Sequence, residues 1–356
     1  MNILVENYTE HLNIKAFQDD LINWYYKVKR DLPWRINRDP YRILVSEIML
    51  QQTRIEAVIG YYDRFIKRLP SIQDLAQIND DELLKLWEGL GYYTRARNLK
   101  KAAIKIMEEY DGIFPNTFEQ IMSLPGIGEY TASAIGSICF SLKEVTIDGN
   151  VLRVYMRLQN CYDNVDDLKI RKKVRNELQK IMPEEAGNFN QALMELGETI
   201  CLPNGIPKCS ECPLKDFCKS YQNNTYLELP IKNKKKDKKE EEYTILLFYY
   251  KNQFVLEKRK ESGLLQNLWQ FPNIQGHFNK KQLENYLKEN NIHFLKVKKS
   301  VSYTHIFTHK RWNMISYMVE LDKNDYNMNW NDLKNLKEKA IPTAFKPFLK
   351  ELKEVI

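Results

Sequence analysis

The sequence predicts two folded domains of different class, an all-α domain to about residue 225 and an α+β domain from about residue 243. Three observations carry this prediction. Before residue 225, apolar residues recur at helical spacing and strand signals are almost absent. The block "IKNKKKDKKEEE", Ile231 to Glu242, holds six lysines and one aspartate followed by three glutamates. A stretch this polar cannot bury itself and reads as a solvated linker. Beyond it the pattern turns to alternation of apolar and polar residues. The expected boundaries are residues 1–224, a charged linker at 225–242, and residues 243–356.

Element by element, "DPYRILVSEIMLQQTRIEAVIGYYDRFIKRL" opens with Asp39 as N-cap and Pro40 at the first helical position. Further helices are predicted over "DDELLKLWEGL", "TRARNLKKAAIKIMEEY", "NTFEQIMSL", "EYTASAIGSICFSL", "NVLRVYMRLQ" and "FNQALMELGETIC". In the second domain "YTILLFYYKNQFVLEKRK" reads as two strands around a turn at Lys251–Asn252–Gln253. "QLENYLKENN" reads as a helix and "RWNMISYMVEL" as a half-buried strand.

Composition narrows the function. No apolar run approaches the ~18 residues of a membrane helix, and no membrane partner is expected. The start, MNILVENYTEHLN, lacks the basic end and apolar core of a signal peptide. A cytoplasmic protein with reduced cysteines is therefore expected. The net charge of +7 suits a polyanionic partner, though much of the excess lies in the linker block.

Four features bear on chemistry. The turn LPGIG, Leu124 to Gly128, lies between two apolar-periodic helices. Its glycines, Gly126 and Gly128, allow close backbone approach, and its amides with the next helix start suit a phosphate; a plain helix connection is the alternative. Glu47 lies among Ile43, Leu44, Val45, Ile48, Met49 and Leu50, and on a helix would share a polar stripe with Gln51 and Arg54. Enclosure by apolar side chains would raise its pKa. Asp148 follows Gly128 by twenty residues, and its Asp-Gly-Asn context equally suits a helix cap. Cys201, Cys209, Cys212 and Cys218 crowd one loop-rich segment. Only Cys209 and Cys212 form the paired knuckle usual for zinc, so the spacing fits an iron–sulfur cubane better. Cys139 and Cys161 read as small core residues.

Together these features resemble the helix–hairpin–helix DNA glycosylases, over about residues 20–220. Within that superfamily the sequence is most similar to the MutY-type adenine DNA glycosylases. The residues carrying the likeness are "LPWR" (Leu32 to Arg35), "SEIMLQQT" (Ser46 to Thr53), "WEGLGYYTRARNL" (Trp87 to Leu99) and "DGNVLRV" (Asp148 to Val154). "GLLQNLWQFP" (Gly263 to Pro272) looks like part of a Nudix-type domain. "FTH" (Phe307 to His309) matches the family's Phe-Ser-His motif with threonine for serine. The segment from Cys201 to Cys209 is one residue longer than the family's Cys-x6-Cys-x2-Cys-x5-Cys pattern.

The resemblance implies an all-α helix–hairpin–helix glycosylase domain with an iron–sulfur cluster loop, plus a C-terminal α+β Nudix-like domain. It implies a monomeric base-excision enzyme acting on double-stranded DNA with adenine opposite 8-oxoguanine or guanine, and a [4Fe–4S] cluster on Cys201, Cys209, Cys212 and Cys218. Glu47 would protonate the flipped adenine, and Asp148 would stabilise the oxocarbenium-like sugar or trap it covalently. Tyr130 and Asn150 would order the carboxylates and water. Leu124, Gly126 and Gly128 would meet the backbone, and Gln52 and Tyr92 would enter the stack. Gln51, Thr53 and Leu90 would lie beside the opposite base, and Phe307, Thr308 and His309 would recognise 8-oxoguanine.

Lyase relatives carry a lysine where this chain has Tyr130, which implies base removal without efficient strand cleavage. The segment after Gly276 lacks the Arg-Glu-x-x-Glu-Glu run of nucleotide hydrolysis, so recognition is expected of that domain. The rival readings are an oxidised-pyrimidine glycosylase/lyase of the endonuclease III type and a non-enzymatic helix–hairpin–helix DNA-binding module.

Overall fold

The computed structural model describes residues 14–234, 237–260 and 262–356. The opening segment read above as lacking a signal peptide lies outside these residues, as do Lys235 and Lys236 of the charged block. The chain divides into two compact units. One takes Met1–Gln77 with Asn98–Lys234, the other Ile78–Arg97 with Lys235–Ile356.

The helices are α1 Ile14–Val28, α2 Pro40–Leu50, α3 Ile55–Arg68, α4 Ile72–Gln77, α5 Asp80–Leu86, α6 Thr94–Glu109, α7 Phe118–Met122 and α8 Glu129–Phe140. They continue with α9 Gly149–Gln159, α10 Leu168–Lys180, α11 Ala186–Thr199, α12 Lys219–Gln222, α13 Lys280–Glu289 and α14 Lys346–Lys353. In the first unit, one core gathers Phe17, Leu21 and Tyr25 of α1, Val151, Leu152 and Met156 of α9, and Phe189, Leu193 and Leu196 of α11. Asp39 caps α2 as expected, accepting from the amides of Tyr41 at 2.8 Å and Arg42 at 3.2 Å. The long pattern from Asp39 is nevertheless two helices. The helix stops at Leu50, and Gln52 takes a left-handed φ of 56°. Gln51 and Arg54 therefore flank helix ends and do not extend a stripe from Glu47.

The second unit is built on strands β1 Lys239–Tyr250, β2 Gln253–Val255, β3 Glu257–Lys258, β4 Trp269–Gln270, β5 Asn273–Gln275, β6 Phe294–Ile306, β7 Lys310–Leu321 and β8 Trp330–Asn331. The main sheet runs β6-β7-β1-β2-β8, with β5 also paired to β1, and β3 pairs β4 separately. β1 lies parallel to β7 and buries both faces, as inner parallel strands do. Ile245 and Leu247 join one core with Phe345 and Phe348, while Leu246 and Phe248 join another with Leu283 and Leu287. This is the period-two geometry of a strand applied to a continuous apolar run.

Two boundaries differ from expectation. The charged segment does not run as linker to Glu242, because β1 begins at Lys239. Opposite charges on β7 draw it in: Arg311 pairs with Glu240 and Lys310 with Glu241. At its other end Leu229 is buried, and its carbonyl accepts from Arg157 Nε at 3.0 Å. The strand β6, the short strands β4, β5 and β8, and the helices α1, α10 and α14 were not foreseen.

Candidate active site

Glu47 lies on α2 between Val45 and Ile48, both buried, and is itself 7 % exposed. One carboxyl oxygen, Oε2, is buried without a hydrogen-bond partner. Burial pushes its pKa up to about 7; the Asp148 charge adds to the rise, while the Tyr130 hydroxyl and Arg35 oppose it. Tyr130, the second residue of α8, reaches Glu47 with its hydroxyl, which lies 3.5 Å from Met194 Sδ. A buried acid near neutrality with an orphaned oxygen is built to carry a proton.

Asp148 has both oxygens engaged. Oδ1 accepts from the Val151 amide at 2.7 Å, capping α9, and Oδ2 accepts from Asn150 Nδ2 at 2.9 Å. Burial raises its pKa, and the Val151 and Asn150 hydrogen bonds with the Arg153 charge oppose the rise. Hydrogen bonds to the ionised form favour a carboxylate. The cap and the site are therefore the same carboxyl group.

One cavity of about 160 Å³ collects Glu47, Tyr130, Asp148, Asn150 and Thr53. Its wall also holds Arg30, Arg35, Gln191, Met194, Glu195 and Glu198, none of which the sequence marked as site residues. Arg35 was visible only as the last residue of the LPWR motif. A buried glutamate in the apolar run of α11 was the available sign for Glu195.

The second unit has its own cavity, of about 440 Å³ and mostly apolar, lined by Leu90, Tyr92, His305, Phe307, Thr308 and His309 among others. Phe307, Thr308 and His309 form the connection between β6 and β7. Phe307 packs edge-on to Trp312 at 4.8 Å and His305 at 4.5 Å, while Thr308 and His309 are exposed. The hydroxyls of Tyr92 and Thr308 are hydrogen-bonded. Tyr92 has a left-handed φ of 46° in a loop braced by Arg95, which donates to the carbonyls of Leu90 and Gly91. Leu90 itself is buried, so its side chain has little surface to offer a base.

Family models match the chain twice: the HhH-GPD superfamily base excision DNA repair protein model over residues 45–184, and a NUDIX domain model over residues 243–351. The adenine DNA glycosylase of Buchnera aphidicola (subspecies Baizongia pistaciae) is 37 % identical, over 95 % of this chain and 97 % of its own length. The chain belongs to the adenine DNA glycosylase family. The human family member is 41 % identical over 59 % of this chain and 40 % of its own length. A thermostable thymine-DNA glycosylase superposes with TM-score 0.53 at 30 % identity, covering 59 % of this chain and 97 % of that one. A trapped endonuclease III–DNA covalent intermediate shares the fold, with TM-score 0.51 at 24 % identity over 60 % of this chain and 99 % of its own.

In this family member the LPGIG turn buries Leu124, leaving only its backbone for contact. Gly126 has φ +77°, and a Cβ there would come within 2.5 Å of Asn98 Cβ. Gly128 occupies the N-cap of α8, where no side chain caps the helix amides. Gln52 is exposed, Gln51 and Thr53 half-buried.

The four cysteines follow α11. Arg157 Nη1 lies 3.2 Å from Cys201 Sγ, and Arg153 Nε donates to the Cys201 carbonyl at 2.7 Å while its Nη2 reaches Asn150 Oδ1 at 2.8 Å. Burial pushes the Cys212 thiol up to about 12, and the other three cysteines add to the rise. Among the described residues, no three His, Cys, Asp or Glu side chains form a group that could hold a metal ion. The expected ligand set is thus not drawn together here.

Proposed function

We propose that the chain removes adenine opposite 8-oxoguanine or guanine from double-stranded DNA, by hydrolysis of the N-glycosidic bond and without strand cleavage. The observation that carries this reading is that two of the carboxyl groups lining one cavity have opposite surroundings: Glu47 with an unpartnered oxygen, Asp148 with both oxygens hydrogen-bonded. Such environments separate an acid from an anion.

Adenine must leave the stack to reach this cavity, at a cost of roughly a few kcal/mol. Glu47 donates its proton to N7. The C1′–N9 bond then breaks with its electron pair moving to the base, which leaves neutral. Asp148 faces the positive charge that develops on the sugar, held as carboxylate by Asn150 and the Val151 amide. Water adds to C1′, and its released proton returns to the Glu47 carboxylate. Tyr130 holds Glu47 and supplies no amine for a Schiff base, which favours base loss alone.

The uncapped start of α8 and the glycines of the hairpin suit a DNA phosphate. Gln52 and Tyr92, exposed in left-handed conformations, are the residues to fill a broken stack, with Gln51 and Thr53 beside the opposite base. Phe307, Thr308 and His309 are assigned to 8-oxoguanine. Cys201, Cys209, Cys212 and Cys218, four thiols in the one loop-rich segment after α11, would hold a [4Fe–4S] cluster. Bound there, the cluster supplies a rigid cross-link for the segment after α11. We also propose a monomer acting at the nucleoid.

The test is single-turnover excision from duplexes with adenine opposite 8-oxoguanine, guanine or thymine, read with and without alkali. Adenine release opposite the first two, with strand breaks only after alkali, is expected. Breaks matching base loss without alkali would falsify the monofunctional part. A purified protein without iron and without its brown colour would remove the cluster.

A further inference from the structure

Glu195 has no part in the chemistry above, yet it lines the same cavity. It is 1 % exposed and sits in the middle of α11, between Met194 and Leu196. Its two oxygens are divided between two cations: Oε1 accepts from Arg30 Nε at 2.5 Å and Oε2 from Arg35 Nη2 at 2.8 Å. Both arginines line the cavity, and Arg35 Nη1 also donates to the Arg30 carbonyl at 3.2 Å. A buried carboxylate that bridges two guanidinium groups fixes both their positions and their net charge.

Resting on the assignment of Glu47 as the acid, we propose that Glu195 is a positioning residue for excision: it holds Arg30 and Arg35 against the cavity wall and offsets their charge where Glu47 must keep its proton. The groups facing Glu47 are Tyr130 and Cys139 from α8, Asp148 from the start of α9, and Arg35 from the turn before α2. Those facing Glu195 are Arg30, Arg35 and Tyr25. Glu198 completes the charged lining of the cavity. Of these, Arg35 is the cation that acts on Glu47, and Glu195 is the anion bonded to that cation. Removing the anion leaves the Arg35 charge unopposed and free to favour ionised Glu47. An acid that ionises earlier loses activity at lower pH. A purely structural ion pair predicts no such change; its loss lowers the rate or the yield at every pH alike.

The experiment is the pH profile of single-turnover adenine excision by the full chain. The wild type is expected to lose rate as pH rises through Glu47 ionisation. In Glu195→Gln that falling limb should move down by about one pH unit, which is about a tenfold loss at a fixed pH above the limb. Below the limb the rate should change far less. Glu195→Gln with a uniformly lowered rate and an unmoved limb would overturn the proposal. A wild-type profile with no falling limb would instead remove the acid assignment itself. Should Glu195→Gln fail to fold, Glu195→Asp carries the test. It keeps the charge but is one methylene too short to span both arginines, so a lowered rate with a smaller limb shift is expected. A wild-type rate and profile in Glu195→Asp would overturn the proposal.

Discussion

The two cavities differ in the way they use burial. In the helical unit, burial acts on titratable groups: Glu47, Asp148 and Tyr130 are all pushed towards their neutral forms. In the other unit the cavity is mostly apolar, with Phe307 packed edge-on to His305 and Trp312 and the hydroxyls of Tyr92 and Thr308 hydrogen-bonded to each other beside His309 and Lys310. The first environment suits proton transfer, and the second suits the binding of a flat, polar-edged group. The proposed excision site and the proposed recognition site therefore have unlike linings, each within its own unit.

The sharpest way to break this division is Glu47→Gln. Excision should fall by about 10²–10⁴-fold, the usual worth of a general acid, with DNA affinity unchanged in a gel-shift or anisotropy titration. Wild-type excision by this variant would end the mechanism. Asp148→Asn comes next, with an expected loss of about 10²–10³-fold in single-turnover rate. Asparagine can still cap α9, so melting should barely change; a collapse in stability would reassign Asp148 to structure.

Thr308→Val tests the other cavity. It removes one hydrogen-bonding hydroxyl, worth about 1 kcal/mol, so preference for 8-oxoguanine over guanine opposite adenine should drop about fivefold. The excision rate from the adenine–guanine pair at saturating enzyme should stay unchanged. If that rate falls as far as the preference does, the separation of roles fails.

The smallest effect concerns stability. Glu47 has a folded pKa of about 7, above that of an unfolded carboxyl. Folding then favours the protonated form, so its contribution is complete below the ordinary carboxylate range. It is lost as pH rises through about 7. Glu47→Gln cannot ionise. It should melt above the wild type at pH 8 and alongside it near pH 4, as followed by circular dichroism. Equal melting at both values would mean that Glu47 is not held in a desolvated site.

Much of the first unit could be read from local pattern. Asp39 and Pro40 mark a helix start because cap chemistry is confined to neighbouring residues. Gln51 shows the limit: nothing in the periodicity reveals that α2 ends at Leu50, since the break depends on a left-handed Gln52. Strand β6 was missed because as an edge strand it exposes lysines, and two register shifts interrupt its alternation. Glu240 and Glu241 look like solvent-facing linker until Lys310 and Arg311 are brought opposite them.

By itself, the sequence determined the helix start at Asp39 and Pro40, the two domain classes, the glycine turn, the glutamate in an apolar run and the four clustered thiols. Each depends on residues a few positions apart, where cap, period and composition act. Only the tertiary structure decided that Glu47 and Asp148 share one cavity, that Arg30 and Arg35 close it through Glu195, and that Tyr92 meets Thr308. These pairings join residues separated by 165, 160 and 216 positions. Desolvation and charge depend on which surfaces are brought together in space, and that is settled by packing of whole elements.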